Sequence, residues 1–222
     1  MSIIKSILKK PEQVKPLTDR EILEILINRY NYCGLTIVDY TDIMEKIGSA
    51  CMDCGGTMRN IRLSHIGKDA IVFECENEII KLTTLDFGTN KLSGHIANCD
   101  AILRLNTEYC LDIKGKNKDV KITILTEKKL NTENITQADV YDVYLKLRED
   151  GYLWNDPRKE NLGRNEYGKV LLFDYGQVIY INSLEPEQKE FELNKHRNMF
   201  PTLDEAYEQY KEYNEENDIK IK

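Results

Sequence analysis

The stretch that decides the fold is WNDPRKENLGRNEYGKVLLFDYGQV, residues 154–178. Within it Asn161 follows Asp156 by five residues, Asp174 follows Asn161 by thirteen, and Gly176 closes the run. Polar residues scattered over a solvated surface have no reason to keep such spacing. Oxygen ligands that must meet around one metal ion do. Magnesium takes few protein ligands, and an Asn amide and an Asp carboxylate suit it. Asn161 and Asp174 are therefore candidate metal ligands, and Asp156 is left as a carboxylate with another task. Phosphoryl transfer from a nucleotide uses such a set: metal to neutralise the phosphates, a carboxylate to orient the attacking hydroxyl, and a cation to hold the phosphates.

Working outward, ITQADVYDVYLKLREDG (135–151) puts Val140, Val143, Tyr144 and Leu147 on one face of a helix, with Thr136 as N-cap and Gly151 as stop. Two short strands are predicted beyond it, near NLGRNE and in KVLLFDY. Further upstream, MRNIRLS, DAIVFECE, EIIKLTT, AILRLNTEYCLDI and VKITILTE are short and rich in β-branched residues. Turn signals such as HIGKD and KGKNKD separate them, which predicts about five antiparallel strands between residues 43 and 127. TNKLSGHIANC (89–99) interrupts them with helical spacing of Leu92, Ile96 and Cys99. TDREILEILINRY (18–30) opens on a capping box, Thr18 with Glu21, and TLDEAYEQYKEYNEEN (202–217) carries a second, Thr202 with Glu205. The sequence thus predicts an α+β chain in three parts. These are a helical extension over 1–42, a β-rich lobe over 43–127, and a reduced α-helical lobe over 128–222 holding the polar loops.

DPRKEN followed by LLFDYGQV resembles the catalytic and metal loops of the protein-kinase-like superfamily, whose pattern is Asp, four residues, Asn, then about a dozen residues to Asp-Phe-Gly. The resemblance implies a bilobal protein-kinase-like fold, with ATP and Mg2+ as nucleotide and cofactor. It gives Asp156 the catalytic carboxylate's place, Arg158 that of the Lys touching the transferred phosphate, and Asn161 and Asp174 the metal. Tyr175 stands where the family has Phe. NEIIKLTT resembles the strand that carries the phosphate-holding lysine, which makes that residue Lys81. EKIGSACMDCGGTMRNIRL resembles the first strand, glycine-rich loop and second strand, so Gly48, Gly55 and Gly56 are expected at the phosphates, though their spacing departs from G-x-G-x-x-G. No Glu stands in TNKLSGHIANC to pair with Lys81, and the nearest acids are Asp86 and Asp100. Trp154-Asn155 replaces the family's His-Arg before the catalytic Asp, and nothing after DYGQV resembles Ala-Pro-Glu. The resemblance covers residues 43 to about 180 and is nearest to the minimal bacterial kinases, including effectors injected into host cells, that lack the activation segment.

Three functions follow as expectations. The first is a Ser/Thr-type protein kinase acting on a protein hydroxyl, constitutive or stimulated by an activating protein partner. The others are a small-molecule phosphotransferase of aminoglycoside type, and a pseudokinase-like binding module. The net charge of −7 excludes a large phosphate-backbone footprint, so no nucleic-acid partner is expected. No apolar run is long enough to span a bilayer. MSIIKSILKKPEQVK lacks the apolar core and cleavage site of a Sec signal, so a cytoplasmic chain is expected, or one secreted into a host cell by a non-Sec route. Six scattered cysteines read as reduced thiols, and the Cys51/Cys54 pair lacks the second pair that a zinc site needs. His65, His95 and His196 fit no triad or zinc pattern and read as surface or packing residues.

Overall fold

Helix α1 (Asp19–Tyr30) begins where the sequence says it should. Thr18 Oγ1 accepts from the Glu21 N–H, and the Glu21 carboxylate accepts from the Thr18 N–H at 2.7 Å. The computed structural model describes residues 15–68, 70–84, 99–174 and 176–220, with 213–220 in backbone alone. The described residues fall into two compact units. The first takes residues from 15 to 84 and from 105 to 129; the second takes 99–104 and 130–220. Residues 15–42, expected as a separate extension, belong to the first unit, because their apolar stripe is part of its core.

That core joins two helices to one sheet. Helix α2 (Ile37–Asp53) starts on a further capping box, Thr36 with Asp39, and buries Tyr40, Ile43, Ile47, Ala50 and Cys51. The sheet comprises β1 (Arg62–Ile66), β2 (Ala70–Cys75), β3 (Glu78–Thr83), β4 (Leu105–Ile113) and β5 (Val120–Lys128). Its order is β1-β2-β3-β5-β4, antiparallel throughout. Alternation in β2 sends Ile71, Phe73 and Cys75 to one face. Ile80 and Leu82 of β3 and Ile122 and Ile124 of β5 join them against α1 and α2. The opposite face carries Lys81, Thr123, Leu125 and Glu127, since side chains alternate along a strand. The five predicted strands and the α+β class are thus present.

The glycine-rich segment is the main correction in this unit. Residues expected as first strand and phosphate loop form the second half of α2 and its C-terminal turn, while the end of the expected second strand does lie in β1. Apolar residues at 40, 43, 47 and 50–51 recur at helical, not alternating, intervals, and that burial outweighs the roughly 1 kcal/mol that a mid-helix glycine costs. Gly48 therefore lies inside a helix. Gly55, at φ +72°, supplies the left-handed residue that ends it. Gly56 donates to the Cys51 carbonyl at 2.9 Å, and a Cβ there would sit 2.6 Å from the Cys75 Sγ. These glycines serve helix termination and close packing.

The second unit is built on α3 (Gln137–Glu149), which buries Val140, Val143, Tyr144 and Leu147 and is capped by Thr136 and Asp139. Gly151 follows at φ +83°. Two hairpin-like pairs flank the helix: β6 (Tyr152–Trp154) with β9 (Val178–Tyr180), and β7 (Leu162–Arg164) with β8 (Val170–Leu172). The β7/β8 pair was predicted; β6 and β9 were not. Residues 101–103 return from before β4: the Leu103 N–H donates to the Leu172 carbonyl and the Leu172 N–H to the Ala101 carbonyl, bridging Ile102 to Leu172. Helices α4 (Pro186–Met199) and α5 (Pro201–Lys220) complete the unit. Thr202 lies inside α5, one residue past its start, so the capping box expected with Glu205 does not form. The helix predicted around Leu92 lies outside the described residues, as does Tyr175. No described helix is long and apolar enough to cross a membrane.

Candidate functional site

The second unit brings Asp156, Arg158 and Asn161 together. β6 leads into the loop, and the Asn155 N–H bonds to the Gln177 carbonyl at 2.8 Å, which fixes the entry. A short 3-10 turn, Lys159–Asn161, then folds Asn161 back, and its side chain is 5% exposed. Its amide donates to the Asp156 carbonyl at 2.9 Å and to Asp156 Oδ2 at 3.0 Å. The five-residue spacing thus serves a closed loop in which the second residue clamps the first. With both amide hydrogens so used, Asn161 Oδ1 remains an acceptor that no described residue engages.

Arg158 Nη2 donates to the same Asp156 Oδ2 at 2.6 Å. This hydrogen bond first, then the Asp156 charge, holds the guanidinium above its ordinary pKa, with smaller help from Glu160 and Asp174. Asp156 Oδ1 receives no hydrogen bond among the described residues. Asp174 is exposed and follows Phe173, whose N–H bonds to the Asn161 carbonyl at 3.0 Å, so the strand end bearing Asp174 is tied to the turn bearing Asn161.

Lys81 belongs to the first unit. Its ammonium lies 2.9 Å from Glu127 Oε1, and Glu127 is 2% exposed. Register explains the pairing: Lys81 stands opposite Leu125 and Ile79 opposite Glu127, so the two share a face on a diagonal. The acid expected from the helix or its flanks is thus supplied by β5. Glu127 ends VKITILTE two positions past the residue opposite Lys81, and that parity was the only signal for it. Gly48, Gly55 and Gly56 do not meet Lys81 as a loop, for the reasons given above. Asp86 lies outside the described residues.

Sequence reasoning also missed a polar network behind the loop. His196 is fully buried in α4, with Nε2 3.1 Å from the Trp154 carbonyl. Its ring stacks on Tyr144 at 5.5 Å and tilts against Phe200 at 5.0 Å. The Tyr144 hydroxyl donates to Asp204 Oδ1 at 2.7 Å. Burial lowers the His196 pKa, with Asp204 pulling the other way, so the imidazole is neutral. Nδ1 lies 3.3 Å from Asp204 Oδ1 but off a hydrogen-bonding line, and the contact is not an ion pair. Trp154 itself is fully buried and pairs with Val178 of β9. Nothing in the polar sequence of α4 marked His196 as an inward position.

All six cysteines are free thiols. Burial pushes the Cys54 thiol up to about 12 and raises those of Cys51 and Cys75, so the cluster is poor in thiolate. Among the described residues, no group of three or more His, Cys, Asp or Glu could hold a metal by itself.

No protein-family model matches the chain, and no curated protein matches it. Among solved structures it is similar to a co-crystal structure of WbdD with the kinase inhibitor LY294002, at 13% identity and a TM-score of 0.37, over 56% of this chain and 36% of that one. It is also similar to a high-resolution crystal structure of WbdD, at 14% identity and a TM-score of 0.38, over 62% of this chain and 38% of that one. The chain therefore spans well under half the length of either.

Proposed function

We propose that the protein is an ATP- and magnesium-dependent phosphotransferase of protein-kinase type, acting on a protein hydroxyl. The observation that supports this reading most is the Asp156–Asn161 clamp. It leaves one carboxylate oxygen of Asp156 and the amide oxygen of Asn161 without described partners. Those are the two atoms that hydroxyl orientation and metal binding require.

The oxygen set suits magnesium. Asn161 Oδ1 and the Asp174 carboxylate would hold it, and two protein oxygens are the usual complement when phosphates and water fill the remaining positions. Bound there, magnesium supplies charge neutralisation at the phosphates. Lys81, oriented by Glu127, holds phosphate oxygens. Asp156 Oδ1 accepts the hydrogen of the acceptor hydroxyl. As the new O–P bond forms, the bond to the leaving diphosphate breaks and the hydroxyl proton passes to Asp156. Arg158, charged and beside Asp156, faces the negative charge of the group in transfer. The free thiols suit a reducing compartment.

The test is γ-labelled ATP with magnesium and candidate protein acceptors. Label should pass to protein in the wild type, fall to background in Asp174→Ala, and drop by orders of magnitude in Lys81→Ala. Wild-type protein that transfers label to nothing refutes the proposal. A second reading, a binding module built on the same architecture, is favoured by one observation: the residues expected to cradle phosphates lie in and after α2. Nucleotide binding without transfer supports that reading.

A further inference from the structure

The second unit contains a cavity of about 390 Å³ that the phosphotransfer reading does not use. Its apolar wall comes from three elements. Ile179 stands in β9, Leu184 follows the 3-10 turn Ile181–Ser183, and Phe191 lies in the middle of α4. Glu187, Gln188 and Glu192 of α4 complete the lining. Phe191 is 65% exposed, while His196 faces inward from the same helix. The packing face of α4 thus points elsewhere, and an aromatic ring is held in water. Apolar side chains standing singly on a surface are ordinary. Three that converge on one concavity mark a binding surface.

The charge around the cavity is negative and is not cancelled. Residues 185–192 hold four glutamates and one lysine. The Lys189 ammonium donates to Asn182 Oδ1 at 3.1 Å, not to a carboxylate. Lys195 comes within 3.5 Å of Glu192, an exposed pair of the kind that contributes little. The carboxylates of Glu185, Glu187 and Glu190 engage no described residue. An acid in the first turn, such as Glu187, also suits the helix dipole. Glu190 and Glu192 lie beyond that turn, so helix stability does not account for them.

We infer that this cavity docks a protein segment that presents one apolar side chain with lysine or arginine on both sides. Size sets the anchor, since a space of about 390 Å³ takes a side chain and not a folded surface. Lining sets its chemistry: among Ile179, Leu184 and Phe191 a polar anchor would be buried without a partner, at a cost in free energy. Charge sets the flanks. The carboxylates attract cations and repel acidic segments, nucleic acid and anionic lipid. Ile179 pairs with Leu153, three residues before Asp156, so the segment is held by the strand pair that leads into the Asp156 loop. That the docked segment belongs to the phosphoryl acceptor rests on the phosphotransfer reading; the binding itself does not.

The test uses a fluorescein-labelled peptide with a central leucine and two lysines on each side, titrated with the full-length protein and read by polarisation. Saturable binding with a Kd below about 1 mM is expected, weakening as salt is raised. Phe191→Ser should lose at least about tenfold in affinity, with its melting temperature as in the wild type. Glu187→Gln combined with Glu192→Gln should lose about fivefold at low salt, and the gap should close at high salt. A peptide with glutamates in place of the lysines should not bind. Asp156→Asn should bind the lysine peptide as the wild type does. With γ-labelled ATP and the same peptide carrying a serine, Phe191→Ser should raise KM and leave kcat unchanged. Absence of saturable binding in the wild type overturns the inference. So does binding that survives Phe191→Ser, or that ignores the sign of the flanking charges. Peptide that binds as expected but takes no label supports the docking site and refutes the phosphotransfer reading, so the two failures are distinct.

Discussion

Replacing His196 by Ala should damage both the stability of the second unit and the loop that carries Asp156. The ring is fully buried, stacks on Tyr144 and Phe200, and holds the Trp154 carbonyl two residues before Asp156. Truncating a large buried aromatic to alanine costs about 3–5 kcal/mol. Leaving a buried carbonyl without its partner costs about 1–3 kcal/mol. The two overlap, so the expected loss is about 4 kcal/mol. Trp154 is the only tryptophan in the chain and lies at the network, so its fluorescence follows this unit during urea denaturation. With a denaturant slope of about 2 kcal/mol per molar, the midpoint should fall by roughly 2 M. The pH dependence has a definite sign. Burial depresses the native imidazole pKa, so the unfolded chain takes up the proton first. Stability from the neutral imidazole is complete above the ordinary histidine value of about 6.5 and is lost as pH falls through it toward the lower native value. Asp204 opposes the shift and Arg148 adds to it, and both persist in the variant. The difference between wild type and His196→Ala should therefore narrow as pH falls from 7 to 5. A loss under 1 kcal/mol, or parallel pH curves for the two proteins, refutes the assignment.

Asp156→Asn should bind nucleotide and magnesium as the wild type does, while transfer falls by about 10²–10⁴-fold in single-turnover labelling. Glu127→Gln removes the buried carboxylate 2.9 Å from the Lys81 ammonium, so the first unit should lose about 3 kcal/mol, read as faster hydrogen exchange of β3 and β5 amides. Thr136→Ala removes the hydroxyl that caps α3 and leaves the backbone N–H that does most to hold the Asp139 carboxyl below its usual pKa. It should cost about 1 kcal/mol, a melting shift of about 2–4 °C.

Sequence pattern made some elements legible and hid others, for physical reasons. Three capping boxes decide the starts of α1, α2 and α3; the box of α1 and the Thr136 N-cap of α3 were read, since an apolar stripe followed each. The third, Thr36 with Asp39, was passed over because the glycines at 48, 55 and 56 drew a loop reading onto a helix. Strands β1 to β5 showed because each has enough β-branched residues to reveal a period. The meeting of Asp156 and Asn161 was legible because their spacing is local and their loop closes on itself. Glu127 was not: its relation to Lys81 exists only through strand register. His196 was hidden for the same kind of reason, since its partners Trp154 and Tyr144 are some 40 to 50 residues away.

The crossing of the chain between its two units has a consequence for biosynthesis. Residues 99–104 belong to the second unit but are translated before β4 and β5, which complete the first. Their partner is Leu172, so Ile102 and Leu103 leave the ribosome some 70 residues ahead of the strand that covers them. At about 5–20 residues per second, that is a delay of roughly 4–14 s during which this apolar stretch lacks its native strand partner. The first sheet can close once residue 129 emerges, while this stretch must be carried as an open loop until β8 arrives. Neither unit is a continuous piece of the gene. A fragment ending near residue 129 would carry the orphaned segment permanently, and a fragment beginning there would lack the backbone that bonds to Leu172.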